Sequence, residues 1–283
     1  MHRCNLCGST TWTVLEQHGP TSVVACRCGL VFVTPVPPRP EIEAVYGEDY
    51  YDAWQAQGPA RRKMWERRLA SVQRLIDHPG RLLDVGCGDA TFLRLAKGAG
   101  WTVAGTELSP EAVWRAGDLS VRQGEIWEAQ FPSQSFDVVT GWHVIEHASD
   151  PTRMVREMFR LLKPGGWLML ATPNLKDYIF RLGYFVGRLR WPALYEEDER
   201  ELHLFHFSDA TLSRLIAAAG FSDIRTGFDA GAATVPAKQL INALAHSWYR
   251  VTGLNWGIGL QVIARKPEVD DHTRPWQRMK TAA

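Results

Sequence analysis

Leu82-Leu83-Asp84-Val85-Gly86-Cys87-Gly88-Asp89-Ala90-Thr91-Phe92-Leu93 reads as a strand, a tight glycine turn and the start of a helix. A short apolar run ends in Asp-x-Gly-x-Gly, and a helix-like pattern follows. A side chain at Gly86 or Gly88 would hold a ligand away from the backbone, so glycines here let one lie close. The amides at the following helix N-terminus attract a carboxylate or phosphate. A bare glycine pair also suits an ordinary strand-to-helix turn, and Thr91 stands where a dinucleotide fingerprint has its third glycine. The next apolar run adds weight: Trp101–Gly105 leads to Glu107, 23 residues after Asp84. An acidic side chain at the tip of the second strand is placed to accept hydrogen bonds from ribose hydroxyls. The turn has no third glycine and no basic side chain, which argues against a pyrophosphate guest.

Outward from this unit, apolar runs keep alternating with helical patterns. Strands are expected at Arg81–Val85, Thr102–Thr106, Ser120–Gln123, Phe136–Thr140, Trp167–Thr172, Phe221–Gly227 and Gly259–Arg265. Helices are expected over about 90–99, from Ser109 onward, over Thr152–Leu162 and over 208–220. Ser109 before Pro110 is an N-cap followed by proline at the first helical position, and Ser208 is a second N-cap. Lys163-Pro164-Gly165-Gly166 reads as a helix stop. Such alternation predicts an α/β fold with a mostly parallel sheet. Ligands of these sheets sit beyond the C-terminal strand ends, near the switch in strand order, which puts Trp142 and His143 beside the ligand.

Four segments in order, Leu82–Leu93, Val103–Ser109, Phe136–His147 and Leu162–Asn174, resemble the successive motifs of class I S-adenosylmethionine-dependent methyltransferases. The resemblance covers roughly residues 80–265. It implies a Rossmann-like seven-stranded sheet of order 3-2-1-4-5-7-6 with strand seven antiparallel. It implies S-adenosylmethionine as cofactor, with the Asp84, Gly86 and Gly88 loop at its methionine end and Glu107 and Leu108 at its ribose. Glu125 lies where an acidic side chain accepts from the adenine amino group, Ile126 lies against the ring, and Trp142 lies beside the cofactor. Tyr50 and Tyr51 occupy a region from which similar enzymes close an aromatic over the cofactor; core packing is the alternative.

Cys4-x2-Cys7 and Cys26-x-Cys28 are two knuckles separated by 18 residues. Four thiolates in two close pairs suit a tetrahedral structural Zn2+, and Cys28–Pro35 resembles the end of a zinc ribbon. A stiff proline stretch, Thr34–Pro40, sets a boundary near residue 38. The expected organisation is a zinc-ribbon module over 1–38 and a helical segment over 39–79. The methyltransferase domain follows over 80–266, then a flexible tail over 267–283. Helices are expected over Glu41–Trp54 and Ala60–His78, the latter with Arg61, Arg62, Lys63, Arg67 and Arg68 on a solvated face. Two aromatic-rich insertions, 175–207 and 232–257, are expected as helical substrate lids.

The chain is 45% hydrophobic and 22% charged, as an ordinary globular protein is, and its net charge of +1 gives no basic footprint for a nucleic-acid partner. No apolar run reaches the roughly 18 residues that span a bilayer, and the N-terminus lacks a signal-peptide core, so a cytoplasmic location is the expectation. The amphipathic, basic stretch 178–191 leaves peripheral membrane contact open. Twelve tryptophans suggest aromatic walls around an apolar, small-molecule acceptor. Monomer and homodimer both remain open.

A hydroxyl acceptor needs its proton removed, and histidine is suited to that near neutral pH. His143, after strand four, is the first candidate base and His203 the second; His147 reads as a buried residue closing the turn. Ubiquinone-type O-methyltransferases have Glu-x-x-Glu-His where this chain has His143-x-x-Glu146-His147, and the missing first Glu argues against a second metal ion. If helical, these three share a face. The leading reading is O-methylation of a sugar, phenol or natural-product hydroxyl. The alternatives are C-methylation, RNA base methylation, and a cofactor-binding partner subunit without catalysis.

Overall fold

The apolar runs become strands of one twisted sheet. The computed structural model describes residues 3–47, 58–195, 202–229, 231 and 236–268. Tyr50 and Tyr51 lie outside them, as do residues 48–54 of the helix expected to reach Trp54 and residues 269–283 of the tail. In chain order the elements are β1 (Trp12–His18), β2 (Thr21–Cys26), β3 (Val31–Thr34), α1 (Arg39–Ala44), α2 (Gly58–Gln73), β4 (Arg81–Val85), α3 (Thr91–Gly98), β5 (Thr102–Glu107), α4 (Pro110–Ala116), β6 (Val121–Gln123) and β7 (Phe136–Trp142). Then come α5 (Pro151–Leu161), β8 (Leu162–Pro173), α6 (Tyr178–Arg188), β9 (Phe205–His206), α7 (Asp209–Ala218), β10 (Ser222–Phe228), α8 (Pro236–Thr252) and β11 (Gly259–Arg265).

The central sheet runs β6-β5-β4-β7-β8-β11-β10. Its pairs are parallel except that β11 is antiparallel to both β8 and β10. Counted along the chain, this is the expected order 3-2-1-4-5-7-6 with an antiparallel seventh strand. β4 lies between β5 and β7, so the crossovers after β4 and after β6 leave in opposite directions and open a cleft above the C-terminal strand ends. One face packs on α5 and α7, through Met154, Val155, Met158, Leu212 and Ile216. The other packs on α2 and α3, through Trp65, Leu69, Val72, Phe92 and Leu93.

Several boundaries differ from expectation for local reasons. The 163–166 stretch is not a loop after a helix: β8 starts at Leu162, because the Gly165 amide donates to the Lys266 carbonyl and the Lys266 amide donates to Gly166. α5 starts at Pro151, one residue early, since Asp150 caps it by accepting from the Arg153 amide at 3.0 Å. α2 stops at Gln73, not His78, where the Leu75 amide donates to Val72 and tightens the chain into a turn. Ser109 and Ser208 cap α4 and α7 as expected, and Ser208 forms a capping box with Thr211.

The N-terminal strands form a second sheet, β1-β2-β3-β9, and its last strand comes from the segment before α7. Val31 pairs with His206, Phe32 pairs with Phe205, and the Val33 amide donates to the Leu204 carbonyl at 2.9 Å. The Arg214 guanidinium donates to the Cys28 carbonyl, the Thr152 hydroxyl donates to the Asn5 carbonyl, and the Asn5 amide donates to Asp150. Val23, Val24, Leu30 and Val33 share one core with Leu83, Val139 and Leu204, so the N-terminal sheet is packed onto the central one.

Candidate active site

The cleft is lined by Gly86–Asp89, Thr106–Leu108, Gly124–Ile126, Trp142–Val144, His147, Tyr46 and Trp65, among others. Of the sequence-predicted cofactor residues, Gly86, Gly88, Glu107, Leu108, Glu125, Ile126 and Trp142 meet there. The glycine turn is pinned to β5: the Gly86 and Cys87 amides both donate to the Thr106 carbonyl, at 2.8 and 3.0 Å. Gly86 has φ +65°, and a Cβ there would fall 2.5 Å from Val144 Cγ2, so any side chain would push His143's neighbour into the cleft.

Glu107 braces this turn. One carboxylate oxygen accepts from the Gly88 amide at 2.8 Å, and the other accepts from the Ser109 amide at 3.1 Å. A carboxylate has about four acceptor positions, so capacity remains for ribose hydroxyls. The Ser109 hydroxyl donates to the Tyr46 carbonyl, which draws the end of the α1 segment into the cleft wall. Glu125 accepts from the Ser149 hydroxyl at 2.9 Å, and burial raises its pKa. Asp84 is 1% exposed and stands beneath the turn rather than in the cleft lining. It accepts from the Thr140 hydroxyl at 2.6 Å, and burial pushes its carboxyl up to about 7 against that bond and the charge of Arg68. That bond ties the end of β4 to β7 just below the turn.

We expect Glu107→Ala to weaken S-adenosylhomocysteine binding about tenfold to a hundredfold, by removing an acceptor and by freeing the Gly88 amide. Unchanged calorimetric affinity would refute its place at the ribose.

His143 stands where β7 ends. Residues 143–147 form a turn, not a helix, and His143 has φ +55°. Its backbone amide donates to the Ala171 carbonyl, while its ring lies between two carboxylates: Nε2 is 3.2 Å from Asp229 and Nδ1 is 3.4 Å from Glu146. Burial opposes the charged ring, but these two partners override it and raise His143 to about 9. Glu146 is held down to about 2: burial opposes its charge, and the His143 ring 3.4 Å away with the neighbouring histidines outweighs burial.

Asp229, directly after β10, also accepts from the Arg68 guanidinium at 3.0 Å and from the Gly231 amide at 2.8 Å. Burial works against its charge, yet Arg68 and His143 hold its carboxyl well below the usual carboxylate range. Arg68 corrects the reading of its helix as uniformly solvated. It is 5% exposed, with its guanidinium over the rings of Trp65 at 5.0 Å and Trp142 at 4.7 Å. Burial of its stem between two indoles, with a carboxylate at its tip, makes this position internal. Asp229, Arg68 and Tyr46 are site residues that sequence reasoning missed; the one local signal was an acid placed immediately after a strand.

His147 lines the cleft, and its Nδ1–H donates to the Leu202 carbonyl at 2.7 Å, since a carbonyl can only accept. His203 is not in the cleft lining. Its ring lies against His147, centroids 5.0 Å apart, behind the wall. Glu146, His147 and His203 bring their side-chain nitrogen and oxygen atoms within 4.8 Å of one another. Burial holds His206 neutral by lowering it to about 3. Cys87 is a buried filler whose sulfur packs where a Cβ on Gly105 would fall.

In the N-terminal segment, Cys4, Cys7, Cys26 and Cys28 place their sulfurs within 4.8 Å of one another. Cys4 lies 3.6 Å from Cys28 and Cys7 lies 3.5 Å from Cys26, far from the roughly 2.05 Å of a disulfide. Zinc–sulfur bonds of about 2.3 Å in a tetrahedron put sulfurs about 3.8 Å apart, so the four thiols fit such an ion.

A methyltransferase-domain family model matches residues 59–226. A Mycolicibacterium smegmatis protein described as a "probable S-adenosylmethionine-dependent methyltransferase" is 30% identical over 171 residues, covering 58% of this chain and 62% of that protein. A ubiquinone biosynthesis O-methyltransferase of Xanthomonas oryzae pv. oryzae is 36% identical over 142 residues, covering 46% of this chain and 59% of that protein. The chain thus spans about three-fifths of the length of these curated relatives. A solved S-adenosylmethionine-dependent methyltransferase of Thermotoga maritima aligns with a TM-score of 0.56 at 19% identity, over 79% of this chain and 99% of that one, which is a likeness of fold. With the family match spanning the sheet from α2 to β10 and the glycine turn at its centre, the chain belongs to the methyltransferase-domain family.

Proposed function

We propose that the chain transfers the methyl group of S-adenosylmethionine to a hydroxyl oxygen of a small molecule. The observation that carries this reading is His143, a titratable ring on the cleft wall, held in one orientation by Asp229 and Glu146. The cofactor fits the residues present. The glycine cradle would be filled by a Cβ, Glu107 and Glu125 present acceptors, and Ile126 and Trp142 give apolar walls. When bound, S-adenosylmethionine supplies a methyl group activated on a sulfonium. Glu107 and Glu125 would orient its ribose and adenine, and Tyr46 and Trp65 would limit water at the cleft. His143 in its neutral form keeps its Nε2–H donated to Asp229 and takes the acceptor's proton at Nδ1, and the carboxylates beside the ring stabilise the imidazolium that results. His203 would act through His147, against which its ring lies tilted. Ubiquinone biosynthesis O-methyltransferases among the relatives favour oxygen as the acceptor atom. Cys4, Cys7, Cys26 and Cys28 would hold a structural zinc ion, with four protein sulfurs filling a tetrahedron.

The test supplies methyl-labelled S-adenosylmethionine and a panel of phenols and sugars, and reads the product by NMR. A labelled methyl ether is the expected result. A labelled carbon-bound methyl would move the assignment to C-methylation, and salt-dependent RNA binding with labelled bases would move it to RNA.

A further inference from the structure

The two inserted helices carry apolar stripes that stay largely exposed among the described residues. On the α6 helix these are Tyr178, Leu182 and Val186, with Leu189 exposed at its C-cap; on the α8 helix they are Leu240, Leu244, Trp248 and Val251. The α6 residues fall at i, i+4 and i+8 and the α8 residues at i, i+4, i+8 and i+11, a spacing that confines them to one narrow strip of each helix. Exposure reaches 82% at Leu189 and 86% at Val251. The α6 helix buries none of its residues. A helix this short does not persist in water on propensity alone, so its apolar strip calls for a cover.

The two strips belong to one surface. Tyr178 meets Trp256 edge-on with ring centroids 5.8 Å apart, and Trp256 stacks on Trp248 at 4.9 Å. Asn174 ties their bases by donating to the Asn255 and Gly257 carbonyls. α6 follows Pro173 and α8 leads to Gly259, and those two residues are register partners. The surface therefore rises from the end of the sheet that bears the cleft.

Charge selects the cover. Neither 178–191 nor 236–256 contains an acidic residue, while together they carry Arg181, Arg188, Arg190, Lys238 and Arg250. Arg188, Arg190 and Arg250 are exposed, whereas Arg181 faces Asp177 at 4.0 Å. The acidic run 196–199 that follows in sequence lies outside the described residues. Two copies of this face would bring like charges together, and a nucleic acid would leave the leucines and valines uncovered. A bilayer surface matches both properties: apolar side chains enter the acyl boundary and arginines reach lipid phosphates. We propose that α6 and α8 form an attachment face for a membrane surface rich in anionic lipid, holding the cleft's open end toward the lipid. This goes beyond the methyl-transfer reading and stands independently of it.

The test is co-sedimentation of the full chain with phosphatidylcholine vesicles, with and without about 30 mol % phosphatidylglycerol. Binding to the anionic vesicles is expected, weakening as salt is raised. Leu182→Asp with Val251→Asp should reduce it about tenfold or more, and Arg188→Glu with Arg190→Glu should remove the preference for phosphatidylglycerol. Retained S-adenosylhomocysteine affinity and far-ultraviolet dichroism show that both variants fold. No vesicle binding by the unaltered chain, or equal binding by the aspartate variant, overturns the proposal. So does a dimer in sedimentation velocity that the aspartate variant converts to monomer without any vesicle binding, which would make the face a contact between copies.

Discussion

His143→Ala should lower the rate of methyl transfer by about 10²–10⁴-fold and change S-adenosylhomocysteine affinity only a few-fold. The ring is 24% exposed at the cleft wall, and its two nitrogens face Asp229 and Glu146. In the free protein it is cationic at neutral pH, because those carboxylates raise it to about 9. A base must be neutral to accept a proton, so the rate should climb as pH rises from 7 toward 9. Asp229→Asn removes one carboxylate, lowers the ring's pKa and moves this climb to lower pH. His143→Gln separates chemistry from packing: it keeps a donor beside the carboxylates but takes no proton. A His143→Gln protein with near-normal turnover would sink the assignment of His143 as base.

The same pair makes a stability prediction whose sign follows from the shift. His143 is raised from 6.5 to about 9 in the folded protein. Its contribution is present in full below about 6.5 and is lost as pH rises through about 9, on the order of 2–3 kcal/mol after allowing for solvent at the ring. Asp84, raised from 3.8 to about 7, adds its own decline with pH over that lower range. The part due to His143 is the difference between the unaltered chain and His143→Gln in urea midpoints between pH 6.5 and 9. Parallel curves would show that the ion pair contributes nothing.

What could be read from sequence here was local. Leu82, Leu83, Val138 and Val139 are continuous apolar runs because both faces of a parallel sheet are covered, and their ends marked the cleft. Gly86, Gly88 and Glu107 fall within one strand–turn–helix–strand unit, so spacing alone brought them together. Asp229 is 86 residues from His143, on a loop leaving the sheet's edge strand, with no motif around it. Arg68 shares its helix with the exposed Arg62 and Arg67, and its place against Trp65, Trp142 and Asp229 distinguishes it from them. β9 is two residues long and is a strand only because the ribbon supplies its partner. Residues that act through long-range pairing leave no periodic signal.

That pairing sets the effect of removing the proposed zinc ion. Chelation, checked by metal analysis, should expose the amides of residues 22–34 to hydrogen exchange, because a module this small needs its metal to stay folded. The loss should not stop there. The Val33 amide donates to Leu204, and the Leu204 and Phe205 amides both donate to the Glu146 carbonyl, so 202–207 is held between the ribbon and the turn that carries His143. With β3 released, the 202–207 segment keeps one side only, and its hold on Glu146 and His147 weakens. Exchange at 202–207 should therefore rise together with that at 22–34, and methyl transfer should fall by at least about tenfold. Cofactor affinity should change much less, since Gly86, Gly88 and Glu107 are braced by β5, away from the ribbon. Protection at 202–207 that survives metal removal would show that β9 stands without its partner. Unchanged exchange at 22–34 would show that the ribbon folds without zinc.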